Sequence, residues 1–222
     1  MILLAIAVIL AAYLIGSVNF AIIFARKINK IDIREHGSGN AGSTNAMRVG
    51  GKLTGTLTFI CDFFKGTLSS FLGLKAFEYI SSHADYSWSL PVYGAYICGI
   101  FCMLGHVYPV FFGFKGGKAV ATGAGVFIPF APVATVIGLL IFALVTILTG
   151  YVSIGSVTAT VVTIASALVL SGCKGNIIPQ VIMAVILGAI IILRHIENMQ
   201  RIARGEEHNI HDKPKKEENV DV

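Results

Sequence analysis

Charged side chains are scarce in this sequence: they make up 13% of its 222 residues, while hydrophobic residues make up 55%. A water-soluble domain carries about 25% charged residues, so this chain has too little charge to cover a soluble surface. Polar breaks separate apolar blocks, and the length of these blocks is close to the roughly 20 residues that an α-helix needs to cross a bilayer. The blocks are continuous runs without the alternation of a barrel strand, so the sequence predicts an all-α integral membrane protein.

The sequence also lacks a CxxC pair and a cluster of metal-binding residues. Cys98 and Cys102 are one helical turn apart, and Cys61 and Cys173 lie in or beside apolar blocks, so the cysteines are interpreted as small packing residues. We expect no metal and no other cofactor. No basic soluble domain is present for nucleic acid, whereas the net charge of +5 suits an anionic membrane surface.

Seven apolar blocks are predicted to form helices within one transmembrane domain, residues 1–205. Their approximate bounds are Ile2 to Phe24, Leu53 to Leu74, Leu90 to Phe112, Ala119 to Phe130, Val133 to Thr149, Ser153 to Leu170 and Ile177 to Leu193. The fourth block is short and Gly-rich; it is tilted, a half-helix or joined to the fifth, although Pro129 and Pro132 favour a break. No basic segment precedes the first block, which favours a retained helix over a cleaved signal. Residues 206–222 are predicted to form a mobile charged tail.

Lysine and arginine are concentrated in three segments. The segments 26–52, 113–118 and 194–222 hold fourteen of the seventeen basic residues. Seven crossings place all three segments on one side of the membrane, and the positive-inside rule assigns that side to the cytoplasm. The amino terminus is then outside the cell and the carboxyl end is in the cytoplasm.

The first polar segment, residues 36–48, combines three glycines with hydroxyl and amide side chains. Small residues let backbone N–H groups converge on an anion, and arginine can hold a phosphate with two hydrogen bonds. A GxGxxG match in this segment is rejected as a dinucleotide site, because a membrane helix precedes it where that fold needs a strand. The candidate substrate ligands are Gly37, Ser38, Gly39, Asn40, Gly42, Ser43, Thr44, Asn45 and Arg48.

The second polar segment, residues 105–118, contains a double glycine directly before a lysine. A Gly-rich turn that leads into a helix presents free N–H groups and the positive end of the helix dipole to an anion. Gly116, Gly117 and Lys118 are therefore predicted to bind phosphate together with His106, whereas Lys115 is interpreted as a topology signal alone. The segment is not a P-loop, because the first glycine of that motif is missing.

The third polar segment begins where the last helix leaves the membrane. His195 and Asn198 are three residues apart and therefore share a helix face. Both are candidate catalytic residues, together with Ser38. The turn between the fifth and sixth blocks is predicted to reach the same face, which adds Ser153 and Ser156 as candidate substrate ligands.

Two opposite charges, Asp62 and Lys65, lie within the second apolar block at the spacing of one helical turn. A charge inside a membrane span is costly and is usually paired or functional. We interpret these two residues as a structural ion pair.

The polar segments together resemble the three motifs of the bacterial acyl-phosphate:glycerol-3-phosphate acyltransferases, the PlsY family. The resemblance covers nearly the whole chain, in the right order. Two mild departures are Ser43, where alanine is usual, and Gly150, where a basic residue often precedes Tyr151. The resembling residues are Gly37-Ser38-Gly39-Asn40, Thr44-Asn45 and Arg48; Gly105-His106, Pro109 and Lys115-Gly116-Gly117-Lys118; Arg194-His195 and Glu197-Asn198; the run Asp62 to Gly66; and Tyr151-Val152-Ser153.

The resemblance implies a seven-helix protein of the bacterial inner membrane whose motifs face the cytoplasm. It implies transfer of a fatty acyl group from acyl phosphate to the sn-1 hydroxyl of glycerol 3-phosphate, the first step of phospholipid synthesis. The products would be lysophosphatidic acid and phosphate, and a soluble enzyme that forms acyl phosphate is an expected partner. Under this hypothesis residues 38–45 hold the phosphoryl group of the donor, while Arg48, Lys118, His195 and Asn198 hold glycerol 3-phosphate. The hydroxyl proton passes to His195 or to the phosphate of the donor.

Two other functions are weighed against this one. A transporter for a phosphorylated solute places its binding groups near the bilayer midplane, whereas most charges here lie at one face. A scaffold without activity leaves three anion-binding segments on one side unexplained. Acyl-CoA as donor is not supported, because none of the six histidines is followed by four residues and an aspartate, as in soluble-type glycerolipid acyltransferases.

Overall fold

The computed structural model of the chain describes residues 1–84, 90–170 and 177–212, and within these ranges the regular structure is helical. Short π-helical and 3-10 turns lie at Ala25–Asn29, Ile33–Glu35 and Val110–Phe112. The predicted all-α fold is therefore confirmed for this part of the chain. The α-helices are α1 Ile2–Ser17, α2 Phe20–Phe24, α3 Ser43–His83, α4 Pro91–Val107, α5 Val120–Phe127, α6 Pro132–Thr149, α7 Val152–Leu170, α8 Ile177–Leu193 and α9 Ile196–Ala203.

Five helical stretches of the described residues are long and apolar enough to cross a membrane. A sixth candidate is the pair Val181–Leu193 and Ile196–Ala203, which is bent by 46°. The predicted multi-pass membrane protein is confirmed, whereas the count of seven spans and the orientation of the termini stay predictions. The five stretches are Ile2–Asn29, Ser43–His83, Pro91–Phe112, Pro132–Thr149 and Val152–Leu170.

The distribution of polarity is that of a protein dissolved in lipid. Large apolar side chains face outward, such as Leu3 at 82% and Leu148 at 73% exposure, while Thr54, Ser69 and Ser70 are fully buried. In a bilayer the outer surface need not be polar, and small hydroxyl residues let helices approach closely. Cys98 and Cys102 are buried free thiols, as expected, and Cys173 lies outside the described residues.

The first predicted span is helical but broken. Val18 is extended, and the side chain of Asn19 accepts a hydrogen bond from the N–H of Ile22 at 3.0 Å, which caps α2. The Nζ of Lys65 donates to the carbonyl of Val18 at 2.8 Å. A backbone break at this depth needs such partners, because lipid offers none.

The helix α3 is longer than the predicted second span, since it runs from Ser43 to His83. Its backbone leaves helical geometry at Gly51, where φ is 83°. The sequence predicts a polar loop for the residues from Ser43 to Arg48, whereas in the structure they form the first turns of this helix. That end of α3 carries the positive end of the helix dipole.

The fourth predicted span contains only the short helix α5. Eight residues at 1.5 Å each give about 12 Å, too little for a hydrocarbon core of about 30 Å. The helix lies directly against α3, because a Cβ at Gly66 would overlap the carbonyl of Thr122 and one at Gly125 would overlap that of Phe63. Glycine at both crossings is what lets the two backbones touch.

The start of the charged tail makes contacts that were not expected of a mobile segment. The N–H of Ile210 donates to the carbonyl of Gly150 at 2.9 Å, and the amide of Asn209 donates to that of Thr149 at 3.2 Å. Residues 206–212 thus cover the turn between α6 and α7. The rest of the predicted tail, residues 213–222, lies outside the described residues.

Candidate functional site

A cavity of about 1040 Å³ brings the three predicted polar segments together. It lies where the start of α3, the end of α4 and the start of α9 meet the turn between α6 and α7. The sequence-predicted residues that line it are Gly37, Ser38, Asn40, Gly42, Ser43, Thr44, Asn45, Arg48, His106, Lys118, Ser153, Ser156, His195 and Asn198. Gly39, Gly116 and Gly117 are not among the residues that line it.

The first polar segment reaches the cavity as a loop that enters a helix N-terminus. Gly37 and Gly39 have φ of 61° and 69°, values that glycine adopts readily. The side chain of Asn45 holds this loop: it accepts from the N–H of Ser38 at 3.0 Å and donates to the carbonyls of Ile33 and His36. Asn45 therefore shapes the loop, and its amide has little capacity left for a substrate.

Ser38 in this loop and Thr44 in the first turn of α3 are exposed and line the cavity. The first intrahelical bond at this end runs from the N–H of Ala46 to the carbonyl of Gly42. The first N–H groups of a helix have no partner within the helix and can bind an anion. The anion site therefore stays a prediction, and the structure places its candidate residues at a helix N-terminus as well as in a loop.

The N–H groups of the double glycine in the second segment already have backbone partners. The N–H of Gly116 donates to the carbonyl of Val107, and that of Gly117 donates to the carbonyl of His106, both at 3.1 Å. These N–H groups are therefore engaged by α4 and not free for phosphate. A Cβ at Gly117 would overlap the Nε2 of His106, so glycine allows the loop to lie on the end of α4.

The Nζ of Lys118 enters the cavity and donates to the Oδ1 of Asn198. Burial lowers the pKa of Lys118 to about 8, and the positive charges of Arg201 and Arg194 act in the same direction, while Glu207 opposes them. Lys118 therefore keeps most of its charge at neutral pH and loses it in mild alkali.

His195 is buried next to this pair, and its Nδ1 lies 2.8 Å from the carbonyl of Ile191. A carbonyl can only accept, so Nδ1 carries the proton and Nε2 is left as an acceptor. Burial lowers the pKa of His195 to about 4 against the opposing effect of the Ile191 carbonyl. The imidazole is neutral at physiological pH.

Glu207 is a cavity residue that the sequence analysis missed, because it lies in the segment assigned to a mobile tail. Its carboxylate accepts from the amide of Asn198 at 2.6 Å, from Arg201 at 2.7 Å and from the hydroxyl of Ser153 at 2.9 Å. Burial alone would raise the pKa of Glu207, but these three donors lower it below the ordinary value. One carboxylate thus joins α7, α9 and the tail.

The opposite end of the cavity is apolar. Phe59, Phe142, Ile164 and Leu187 line it, from four different helices. At the polar end, Arg48, Lys118 and Arg201 provide positive charge. One continuous space therefore offers cations at one end and a hydrocarbon environment at the other, which suits an amphiphile with an anionic head.

Comparison with known proteins agrees with this chemistry. The family model described as glycerol-3-phosphate acyltransferase matches residues 6–205 of the chain. The glycerol-3-phosphate acyltransferase of Aquifex aeolicus is 40% identical over 197 residues, which are 89% of this chain and 94% of that protein. That of Streptococcus thermophilus (strain LMD-9) is 41% identical over 207 residues, which are 90% of each.

Two solved structures have the same architecture. They are crystal structures of PlsY (YgiH), an integral membrane glycerol 3-phosphate acyltransferase, in its glycerol 3-phosphate form and its lysophosphatidic acid form. Their TM-scores to this chain are 0.77 and 0.75, at 38% sequence identity, over 92% of this chain and 94% of theirs. The chain belongs to the glycerol-3-phosphate acyltransferase family, and its membrane-embedded helical fold is that of PlsY.

Proposed function

We propose that this protein transfers a fatty acyl group from acyl phosphate to the sn-1 hydroxyl of glycerol 3-phosphate. Acyl transfer to glycerol 3-phosphate follows from membership of the family. Acyl phosphate as donor is supported by the cavity, which joins a cationic end to an apolar end of the kind that an acyl chain needs. The observation that carries the proposal is that cationic side chains and apolar walls line one space.

Glycerol 3-phosphate binds at the end formed by Arg48, Lys118 and Asn198. Arg48 is exposed to the cavity, and its planar guanidinium can form two parallel hydrogen bonds with a phosphate. Lys118 contributes a second charge, and Asn198 can turn an N–H or its carbonyl to the glycerol. Ser153, Ser156 and His106 complete the wall around the substrate.

The phosphoryl group of the donor binds at the N-terminus of α3. Ser38, Ser43 and Thr44 supply hydroxyl donors there, and the helix dipole favours the negative charge. Gly37, Asn40 and Gly42 form the adjoining wall. The acyl chain extends between the helices toward Phe59 and Phe142 and enters from the bilayer.

In the reaction the sn-1 oxygen forms a bond to the acyl carbonyl carbon, and the bond from that carbon to the phosphate oxygen breaks. His195 accepts the hydrogen bond of the attacking hydroxyl through Nε2, and Asn198 fixes the glycerol beside it. Ser38 donates to the oxygen on which negative charge develops. Because His195 is a weak base with a pKa of about 4, the hydroxyl proton passes to the leaving phosphate, and lysophosphatidic acid and phosphate are released.

The site faces the cytoplasm of a bacterium, at the inner membrane. The three basic segments meet around one cavity, and the positive-inside rule places such segments in the cytoplasm. Glycerol 3-phosphate and a soluble enzyme that forms acyl phosphate would both have access from that side.

The test is phosphate release by the purified protein in detergent. Acyl phosphate should be consumed only when glycerol 3-phosphate is present, with one lysophosphatidic acid formed for each phosphate released. Acyl-CoA should not replace acyl phosphate. Uptake of glycerol 3-phosphate into sealed vesicles without acyl transfer would instead indicate a transporter.

A further inference from the structure

A cluster of three ionisable side chains lies inside the helical bundle behind the cavity. The side chains of Asp62, Lys65 and His106 are 2%, 3% and 4% exposed. The Nζ of Lys65 lies 2.8 Å from the Oδ1 of Asp62, and the Nδ1 of His106 lies 3.5 Å from the same oxygen. The sequence-predicted ion pair is therefore confirmed, and the structure adds a histidine to it.

The hydrogen bond from Lys65 to the carbonyl of Val18 gives the ammonium a structural role, but it does not explain why the carboxylate beside it also faces His106. Ions in a membrane span are costly, and replacing a buried ion pair by well-packed apolar residues is often neutral or stabilising. Asp62 and His106 also line the substrate cavity. The cluster thus has a place in the site beyond the packing of helices.

The contact between Asp62 and His106 fixes one edge of the imidazole. The Oδ1 of Asp62 is paired with the ammonium of Lys65, whereas the Nδ1 of His106 has no conventional hydrogen bond within the described part of the chain. Since a buried polar atom without a partner is costly, the Asp62 carboxylate at 3.5 Å is the group that stabilises this nitrogen. A carboxylate facing Nδ1 keeps the proton on that nitrogen and holds the ring plane.

The other edge of the ring supports the loop that carries Lys118. The Nε2 of His106 lies where a Cβ of Gly117 would be, and the N–H of Gly117 donates to the carbonyl of His106. Lys118 follows directly and reaches Asn198. A rotation of the imidazole would therefore push against Gly117 and displace the ammonium of Lys118.

We propose that Asp62 is a positioning residue that acts through His106 and Gly117 to place Lys118 against the phosphate of glycerol 3-phosphate. This inference rests on the proposed function. It assigns the cluster to substrate placement, and Lys65 serves as the counter-ion that allows the carboxylate to be buried.

Two double variants test the inference against a purely structural role. Both carry Lys65→Met, so that neither leaves an unpaired buried cation, and they differ only at position 62. Asp62→Asn keeps an acceptor for the Nδ1–H of His106, whereas Asp62→Leu has the same branched arrangement of side-chain heavy atoms and no acceptor. The assay is phosphate release from acyl phosphate at varied glycerol 3-phosphate, with the melting temperature of each detergent-solubilised variant.

We expect the asparagine variant to have a KM for glycerol 3-phosphate within about threefold of the wild-type value. The leucine variant should have a KM raised about tenfold or more at a similar kcat. The reason is that a displacement of about 1 Å is costly at a reacting site. Equal KM values in two folded variants would overturn the inference. Wild-type protein without activity would instead refute the proposed function, so the two failures are distinguishable.

The single variant Asp62→Glu covers the case in which the leucine variant does not fold. It keeps the charge opposite Lys65 and lengthens the arm toward His106. A raised KM for glycerol 3-phosphate at an unchanged melting temperature is expected. A wild-type KM in a folded Asp62→Glu protein would overturn the inference.

Discussion

The ammonium of Lys118 and the side-chain carbonyl of Asn198 are in direct hydrogen-bonding contact, although 80 positions separate them in the sequence. Asn198 turns its amide nitrogen the other way, to Glu207. A lysine, an amide and a carboxylate therefore form one chain of hydrogen bonds at the cationic end of the cavity. The protonation and orientation of each of these side chains therefore affect the orientation of the other two.

The charge of Lys118 should control substrate binding in alkali. Since burial lowers its pKa to about 8, kcat/KM for glycerol 3-phosphate should fall as the pH rises through that value. In Lys118→Arg the guanidinium stays charged, so the fall should move to higher pH, even though the overall activity is lower. The measurement is the pH profile of phosphate release.

Lys115→Arg is the matched control for this substitution. Lys115 is exposed and is not among the residues that line the cavity, so its profile should follow that of the wild type. An unchanged alkaline limb in Lys118→Arg would contradict the assignment of that limb to Lys118.

Substitutions of His195 should distinguish an imidazole that only accepts a hydrogen bond from the attacking hydroxyl from one that takes its proton. If Nε2 orients the hydroxyl as an acceptor, the side-chain carbonyl of Gln retains part of that role and Ala retains none. We expect His195→Gln to lower kcat about tenfold and His195→Ala about a hundredfold, because misplacement of the attacking hydroxyl is costly at a reacting site. Equal losses in both variants would indicate that His195 itself takes the proton.

Removal of the Glu207 carboxylate should loosen the polar end of the cavity. Glu207→Ala leaves Asn198, Arg201 and Ser153 without their acceptor, so the melting temperature should fall and KM for glycerol 3-phosphate should rise about tenfold. Since the pKa of Glu207 is lowered on folding, its contribution is complete above the ordinary value of 4.5 and is lost as the pH falls below it.

The neighbouring Glu206 provides the control for this change. Its ion pair with Arg204 is formed by side chains that are 57% and 58% exposed, and such pairs contribute little. Glu206→Gln should therefore leave the melting temperature close to the wild type, which is the comparison that this control serves because Glu206 also lines the cavity. A similar effect of both substitutions would point to general destabilisation of the tail.

The orientation in the membrane can be tested with single cysteines in a protein whose four native cysteines are replaced by alanine or serine. A cysteine at Lys75, an exposed position, should react with a membrane-impermeant maleimide in intact cells. A cysteine at Lys115 should react only after the membrane is opened. Labelling of Lys115 from outside would place the cavity on the wrong side for cytoplasmic substrates.

Many of the polar residues that line the cavity were predictable from the sequence, because their own side chains have the chemistry that suits a phosphate. Arg48, Lys118 and the small polar residues after Gly37 can be recognised without knowing their neighbours. The contacts of Asn45 and Gly117 were not predictable, because an amide side chain or a glycine N–H can form hydrogen bonds with a substrate or with the protein backbone equally well. Only the partners of these residues decide between the two roles.

The role of Glu207 was not predicted from the sequence, for a related reason. Its surroundings in the sequence are polar and of mixed charge, a pattern typical of a mobile tail. What anchors it are donors from α7 and α9, which lie close to it only in the folded chain. A local pattern contains no information about such long-range partners.

The sequence by itself determined that the chain is a helical membrane protein with three polar segments whose side chains suit a phosphate, because hydrophobic length and residue chemistry act locally. The tertiary structure decided which polar groups are free for a substrate and which are already engaged by the backbone. It also decided that Asp62 lies beside His106, and that the loop before Lys118 packs on the His106 imidazole. The physical reason is that hydrogen bonds and ion pairs depend on distances of a few ångströms between residues remote in the chain, and packing alone sets those distances.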